Sequence, residues 1–136
     1  MTSWNELRRE AVATEQWNLT HPGEERRWAY VTQALHGANG PVVAVSDYMR
    51  AVQDQIAPWV QQPWNSLGAD GFGLADTRAA ARRHFLVDAE SIVVATLQSL
   101  AREGAYDGNA AREAFDRYHL DDPTAVAGVA QEGAGA

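Results

Sequence analysis

Apolar residues recur at intervals of three and four along most of the chain, the spacing typical of amphipathic helices. The first helix is predicted to start where Ser3 and Glu6 have the spacing of a capping box and to end before His21-Pro22-Gly23. Helices are predicted at residues 4–17, 28–36 and 48–59. A further helix follows Asp76 and carries Arg78, Arg82 and Arg83. The last two lie between the cap Asp88 and Gly104 and at 109–118.

Two short segments depart from this helical pattern. Residues 42–45, Val-Val-Ala-Val, form a continuous apolar run that favours a strand buried on both faces, as in a parallel sheet. Ser46 and Asp47 follow directly as an N-cap pair, so the segment is predicted to be strand, tight turn and helix. Residues 64–68 are a second and weaker strand.

Five or six helices around only two strands indicate an α/β fold with a small, mostly parallel sheet and flanking helices. Two parallel strands make a poor sheet alone, so strands are missing and another polypeptide is expected to supply them. Residues 1–120 are predicted to be one incomplete domain. Residues 121–136 turn to Ala, Gly, Gln and Glu, which predicts a flexible tail.

Charge and composition exclude several classes of function. The net charge is −7 and the 11 basic residues are all arginines without a continuous stripe, which argues against nucleic acid as a partner. The absence of cysteine excludes disulfides and thiolate zinc sites. The N-terminus has no secretory pattern and the apolar runs are too short for a membrane span. A cytoplasmic protein without a membrane partner is therefore expected.

The sequence predicts no catalytic, cofactor-binding or metal-binding residue. Its four histidines lie far apart, and no two have the spacing of a metal site. Residues 70–73, Asp-Gly-Phe-Gly, superficially resemble a kinase motif. A kinase also needs a lysine on a strand, and this chain contains no lysine. No serine stands in a Gly-x-Ser-x-Gly setting.

Two other features have competing interpretations. The glycines of residues 68–73 predict either a simple turn with positive φ or a loop whose backbone closely approaches another chain. Five tryptophans are many for 136 residues, and three of them, Trp4, Trp17 and Trp28, fall near the start. We expect these three at a partner interface rather than in the core.

Several motifs resemble one family. Residues 40–50 (Gly-Pro-Val-Val-Ala-Val-Ser-Asp-Tyr-Met-Arg), 67–73 (Leu-Gly-Ala-Asp-Gly-Phe-Gly) and 76–78 (Asp-Thr-Arg) are similar to the C-terminal domain of the homodimeric-type pyruvate dehydrogenase decarboxylating component. That family is transketolase-like and depends on thiamine diphosphate. The resemblance extends in order over about residues 2–122 and is to actinobacterial members.

In that family an N-terminal domain holds the diphosphate and magnesium through a Gly-Asp-Gly…Asn motif, and a middle domain grips the pyrimidine. The C-terminal domain builds the dimer and shapes the active-site entrance. The resemblance implies that this chain is most of the last domain, without its first strand–helix unit. Ala69-Asp70-Gly71 is not the diphosphate motif. The interface or channel loop is expected to comprise Asp70, Gly71, Phe72, Gly73, Asp76 and Arg78.

Departures at Leu74-Ala75, Leu86 and residues 61–64 favour a divergent relative over the housekeeping enzyme. Three hypotheses remain. The preferred one is a subunit of a split enzyme, working in a hetero-oligomer of dimeric symmetry with a larger chain that holds thiamine diphosphate and magnesium and acts on a 2-oxo acid. The second is a fragment of a full-length enzyme. The third is a binding module that kept the fold and lost the catalysis.

Overall fold

The computed structural model describes residues 3–122 and 125, so most of the predicted tail, 121–136, lies outside the described residues. Helices and short strands alternate along this part of the chain. The elements are α1 (Trp4–Thr20), α2 (Tyr30–Ala34), β1 (Val42–Val45), α3 (Ala51–Asp54), a 3₁₀ turn (Ala57–Trp59), β2 (Trp64–Leu67), α4 (Arg78–His84), α5 (Ala89–Arg102) and α6 (Gly108–Tyr118).

The two strands pair in parallel, with Val42 opposite Trp64 and Val45 opposite Leu67. Helix α5 contacts both strands. The predicted α/β class with a small parallel sheet and flanking helices is therefore confirmed. The expectation that β1 is buried on both faces is wrong for this chain, because only Ala44 is buried and its three neighbours are partly exposed. Within the part of the chain that the structure describes, each strand has one neighbour.

The core lies between α1, α2 and the segment after α3. Its fully or almost fully covered residues are Ala11, Ala29, Val31 and Ile56. The partly buried apolar side chains packed against them are Trp4, Leu7, Leu35, Trp59, Val60 and Trp64. Burial of this apolar surface is the main driving force that holds α1 against the rest of the domain.

Local capping signals set several helix ends as predicted. The Ser3 hydroxyl accepts a hydrogen bond from the Glu6 backbone N–H at 3.2 Å and starts α1. The Asp88 carboxylate accepts from the Ser91 N–H at 3.0 Å and starts α5. Gly104, just past the end of α5, has φ of 70°, the left-handed conformation that glycine adopts readily.

The helix predicted at residues 28–36 is shorter, since α2 covers only Tyr30–Ala34. Just before α2, the Asn18 amide donates to the Arg27 carbonyl and accepts from the Arg27 N–H, both at 2.9 Å. These bonds occupy backbone groups of Arg27 and tie the segment before α2 to α1.

Two predicted N-caps are wrong. Thr77, rather than Asp76, caps α4 and accepts from the Ala80 N–H at 3.2 Å. Asp76 instead accepts from the Thr77 N–H at 2.6 Å. Ser46 accepts from the Tyr48 N–H at 3.0 Å, while α3 starts later, after Arg50, without a side-chain cap.

The helix predicted at residues 48–59 is also interrupted, because α3 has only four residues and a separate 3₁₀ turn contains Pro58. Proline has no N–H to donate to a continuing helix.

At the other end of the domain, α6 buries only Ala111, and Ala114, Phe115 and Tyr118 are partly exposed. No helix among the described residues has the length and apolar character needed to cross a bilayer.

Candidate functional site

The candidate site lies where the carboxyl ends of β1 and β2 meet at one edge of the parallel sheet. In open α/β sheets this edge commonly forms the binding crevice. The turn after β1 contains Asp47 and Arg50, and the glycine-rich loop after β2 contains Asp70 and Phe72. We call residues 68–77 the β2–α4 loop.

Asp70 fastens the β2–α4 loop to the turn after β1. Its carboxylate accepts hydrogen bonds from the Arg50 backbone N–H at 2.9 Å and from the Arg50 side chain at 2.5 Å. These bonds from Arg50 lower the pKa of the Asp70 carboxyl below its usual value. A backbone hydrogen bond joins the same two segments, since the Ala69 N–H donates to the Tyr48 carbonyl at 2.9 Å.

Gly68 sits at the closest approach between these two segments. A Cβ atom placed there would come within 2.6 Å of the Tyr48 carbonyl oxygen and 2.7 Å of the Arg50 nitrogen. Both are backbone atoms that cannot move aside cheaply, so only glycine fits. Gly71, by contrast, has open space around it and a φ of 103°. Of the two interpretations of these glycines, positive φ thus applies at Gly71, and close backbone approach occurs within the chain itself at Gly68.

Beyond this anchor the loop projects outward. The Phe72 side chain is 98% exposed, which is unusual for an aromatic residue. Gly73, Asp76 and Arg78 are also exposed. The structure therefore places all six residues predicted for the interface or channel loop in one exposed stretch, with Asp70 fixed at its base.

A groove of about 410 Å³ runs beside this loop. Arg82 lies on its wall and donates to the Asp47 carboxylate at 2.9 Å, tying α4 to the turn after β1. The hydrogen bond from Arg82 holds the pKa of Asp47 below its usual value. The lining residues are Asp47, Ala69, Gly71, Gly73, Leu74, Arg78, Ala81, Arg82, Phe85 and Val87. This mixture of apolar and cationic groups suits contact with another macromolecular surface.

The three N-terminal tryptophans have different environments. Trp4 is partly buried and packs against the core. Trp17 is also partly buried, stacks on His21 with centroids 4.3 Å apart, and is covered by the Arg27 guanidinium at 3.4 Å. Trp28 is 48% exposed beneath Arg26. The structure does not gather them into one cluster, and Trp28 is the one with the most surface left to offer a partner.

Arg83 is an organising residue that the helical pattern did not distinguish from its neighbours. It is only 4% exposed, and its guanidinium forms an ion pair with Asp88 and a second contact with Glu90 at 3.5 Å. It also donates to the carbonyl of Tyr118 at 3.0 Å. One signal was available in the sequence: Arg83 stands five residues before a helix-capping aspartate.

The residues present do not fit a magnesium–diphosphate group. Among residues 3–122 and 125, no group of three or more histidines, aspartates or glutamates could hold a metal ion. Asp70, the acidic residue of the Ala-Asp-Gly sequence, has both carboxylate oxygens bonded to Arg50.

Comparison with known proteins agrees with the motifs. The chain is similar to proteins named pyruvate dehydrogenase E1 component. It is 55% identical over 126 residues to that of Mycolicibacterium smegmatis, 52% over 126 to that of Mycobacterium tuberculosis and 50% over 125 to that of Corynebacterium glutamicum. These matches cover 92–93% of this chain, yet the chain spans only 14% of the length of these relatives.

The family model described as the transketolase-like TK C-terminal domain matches residues 1–88. This range contains α1, the whole parallel sheet and the β2–α4 loop. The family resemblance inferred from the motifs, including its actinobacterial members, is confirmed. The chain belongs to the transketolase-like TK C-terminal domain family.

Proposed function

We propose that this chain is the C-terminal subunit of a split, thiamine-diphosphate-dependent 2-oxo-acid dehydrogenase of the transketolase-like class. It completes the fold and the dimer interface of a larger chain. The observation that carries the proposal is the coverage: the match takes in 93% of this chain but 14% of the M. smegmatis relative. In this proposal the larger chain provides the remaining parts of the enzyme.

The proposed reaction is decarboxylation of a 2-oxo acid and transfer of the resulting acyl or aldehyde unit. It is supported by the pyruvate dehydrogenase name of the relatives. We assign thiamine diphosphate and magnesium to the larger chain. In this chain the Asp70 carboxylate is bonded to Arg50 and is not available to bind a metal ion. This chain contributes positioning and interface, while the cofactor supplies the chemistry.

The β2–α4 loop is the proposed contact with the larger chain. Phe72 is exposed at a position whose base is held by Asp70, so its ring is presented without a large ordering cost on binding. Aromatic side chains are enriched among the residues that dominate binding energy. Asp76 and Arg78, which follow Phe72 in the sequence, are exposed and carry opposite charges, and Trp28 offers a further exposed aromatic surface.

The test is reconstitution from two chains. A gene neighbouring this one and encoding the diphosphate and pyrimidine motifs is expressed with and without the full chain. We expect the two products to co-purify as a hetero-oligomer, with 2-oxo-acid decarboxylation appearing only in the mixture. Tight thiamine diphosphate binding or turnover by the lone chain contradicts the proposal. A stable lone monomer that captures no such chain favours the non-catalytic binding module, and discovery within one longer polypeptide favours the fragment hypothesis.

A further inference from the structure

The connection between α2 and β1 contains the one Asn-Gly pair of the sequence, Asn39-Gly40. Both residues are exposed and lie outside the helices and strands. Gly40 has a φ of 96°, and a Cβ placed on it would meet nothing within 4 Å. Among the residues that the structure describes, neither the Asn39 side-chain amide nor the Gly40 N–H has a hydrogen-bond partner. Neither group is therefore kept from reacting by a hydrogen bond of the fold.

These two groups have the chemistry of a cyclisation. Glycine has no side chain to hinder the approach to its own nitrogen. When the Gly40 nitrogen attacks Cγ of Asn39, a new C–N bond forms, the Cγ–Nδ2 bond breaks, and the amide leaves as ammonia with the Gly40 proton. Water then opens the resulting succinimide at either carbonyl. Opening at the backbone carbonyl gives isoaspartate, and opening at the side-chain carbonyl gives aspartate.

The chain is anchored on both sides of this pair. The Ala38 carbonyl accepts a hydrogen bond from the Gln62 side chain at 3.2 Å, and the Val42 N–H donates to the Pro63 carbonyl at 2.8 Å. Residues 39–40 lie between these two points and have no such bond to another described residue. Ring formation at residues 39–40 therefore breaks no hydrogen bond of the described fold.

The other four asparagines lack this combination of features. None of them precedes a glycine. The side-chain amides of Asn18 and Asn65 already donate hydrogen bonds. Asn5 and Asn109 lie in helices, and the N–H of the residue after each of them is already donated.

Two Asp-Gly pairs could form the same ring, but their carboxylates are held by hydrogen bonds. The Asp70 carboxylate is bonded to Arg50, and this bond lowers the pKa of Asp70 and keeps it charged. A charged carboxylate cannot lose its oxygen as water, which ring closure requires. Asp107 caps α6 and accepts from the Asn109 N–H at 3.0 Å. Asn39 is therefore the position at which the fold hinders this chemistry least.

We propose that Asn39 is a site of spontaneous deamidation, at which the protein acquires isoaspartate and aspartate as it ages. Water is the only co-reactant, so this inference does not depend on the proposed function or on a partner chain. The reaction adds one negative charge to a chain whose net charge is −7. The modified position lies before the amino end of β1, whereas the candidate site lies at the carboxyl end of the same strand.

The test is to age the full chain in mildly alkaline buffer and to follow every asparagine by peptide mapping and mass spectrometry. We expect Asn39 to convert at least about tenfold faster than the other four asparagines, with isoaspartate detected by enzymatic methylation. A parallel sample in guanidinium chloride gives the rate without the fold. Because the site needs no unfolding, the two rates at Asn39 should agree within about threefold. Stronger protection by the fold, or an Asn39 that stays intact, overturns the inference.

Two variants connect the reaction to the change in charge. Asn39→Gln would have to close a larger and less favourable ring, so the acidic species that accumulates in the wild type on anion-exchange chromatography should be lost. Asn109→Gln is the matched control, because Asn109 is also exposed but lies within α6. This control should accumulate the acidic species at the wild-type rate. Equal accumulation in the wild type and Asn39→Gln, or loss only in Asn109→Gln, assigns the charge to another residue and refutes the proposal.

Discussion

At the scale of single residues, the candidate site depends on Gly68 and on the ion pair between Asp70 and Arg50. Gly68 allows the β2–α4 loop to touch the backbone of Tyr48 and Arg50. Asp70 then locks the same two segments together through Arg50. Asp88 has a different task, since it caps α5 and also neutralises the buried Arg83.

Gly68→Ala is expected to lower the free energy of unfolding by about 1–3 kcal/mol, because the added methyl group overlaps backbone atoms. Gly73→Ala in the same loop is the matched control. A Cβ at Gly73 meets nothing within 4 Å, so this variant should be as stable as the wild type or slightly more stable. Urea denaturation of both variants measures the difference, and equal stability would show that the close contact is not maintained in solution.

Acid should destabilise the fold partly through Asp88. Burial opposes ionisation of Asp88, but hydrogen bonds from Ser91 and Arg83 outweigh it and hold the pKa of its carboxyl below the usual value. The unfolded chain therefore binds the proton more readily, so this contribution is complete above the unfolded pKa of about 4 and is lost as the pH falls through the folded value.

Asp88→Asn tests this contribution, because asparagine still caps a helix but carries no charge. We expect a lower free energy of unfolding at pH 7 and a shallower decline between about pH 5 and pH 2 than in the wild type. Urea denaturation across this range measures both quantities. A pH profile parallel to that of the wild type would rule out a stabilising role for the Asp88 charge.

At the scale of elements, Arg83 joins three helices. It belongs to α4, pairs with Asp88 at the start of α5, and donates to the Tyr118 carbonyl at the end of α6. His119, the C-cap of α6, has a φ of 47°, so the last carbonyls of α6 turn toward this guanidinium. A single buried cation therefore satisfies groups from two helices that lie after it in the sequence.

Arg83→Met is expected to lower the free energy of unfolding by about 3 kcal/mol, because it keeps the apolar volume but leaves the Asp88 carboxylate without its cation. Arg112→Met provides the control, since Arg112 forms an exposed pair with Asp116 at 3.0 Å within α6. That variant should change stability by less than about 0.5 kcal/mol. Chemical denaturation distinguishes the two, and similar losses in both would show that Arg83 acts as an ordinary surface residue.

At the scale of the whole molecule, three exposed features suit a partner. Phe72 projects from the β2–α4 loop, Trp28 lies half exposed beside α2, and β1 has only β2 as a strand neighbour among the described residues. A large exposed aromatic residue gives an isolated domain no stability. Such features become favourable when association buries them.

Phe72→Ser should leave the free energy of unfolding within about 0.5 kcal/mol of the wild type, because the ring makes little contact within the chain. It should weaken association with the larger chain by at least about tenfold, as expected for an aromatic residue at the centre of an interface. Gln98→Ser, an exposed position on α5, is the control for association. Titration calorimetry of both variants gives the affinities, and unchanged binding of Phe72→Ser would exclude the ring from the contact.

Local sequence patterns were enough to predict the class of fold and much of the local structure. The limits of β1, the caps at Ser3 and Asp88 and the turn at Gly104 depend on residues a few positions apart, so local patterns contain the necessary information. The family motifs likewise placed the six loop residues in one segment. Their partner-binding role remains a prediction.

Which distant groups meet could not be predicted from these patterns and is visible only in the folded chain. Asn18 binds the backbone of Arg27, Arg82 forms an ion pair with Asp47, and Arg83 is buried while its neighbour Arg82 is not. Each of these outcomes depends on contacts between segments 9 to 36 positions apart in the chain. Helical periodicity describes the face of one helix and cannot specify which other helix will cover it, so these contacts follow from packing rather than from local pattern.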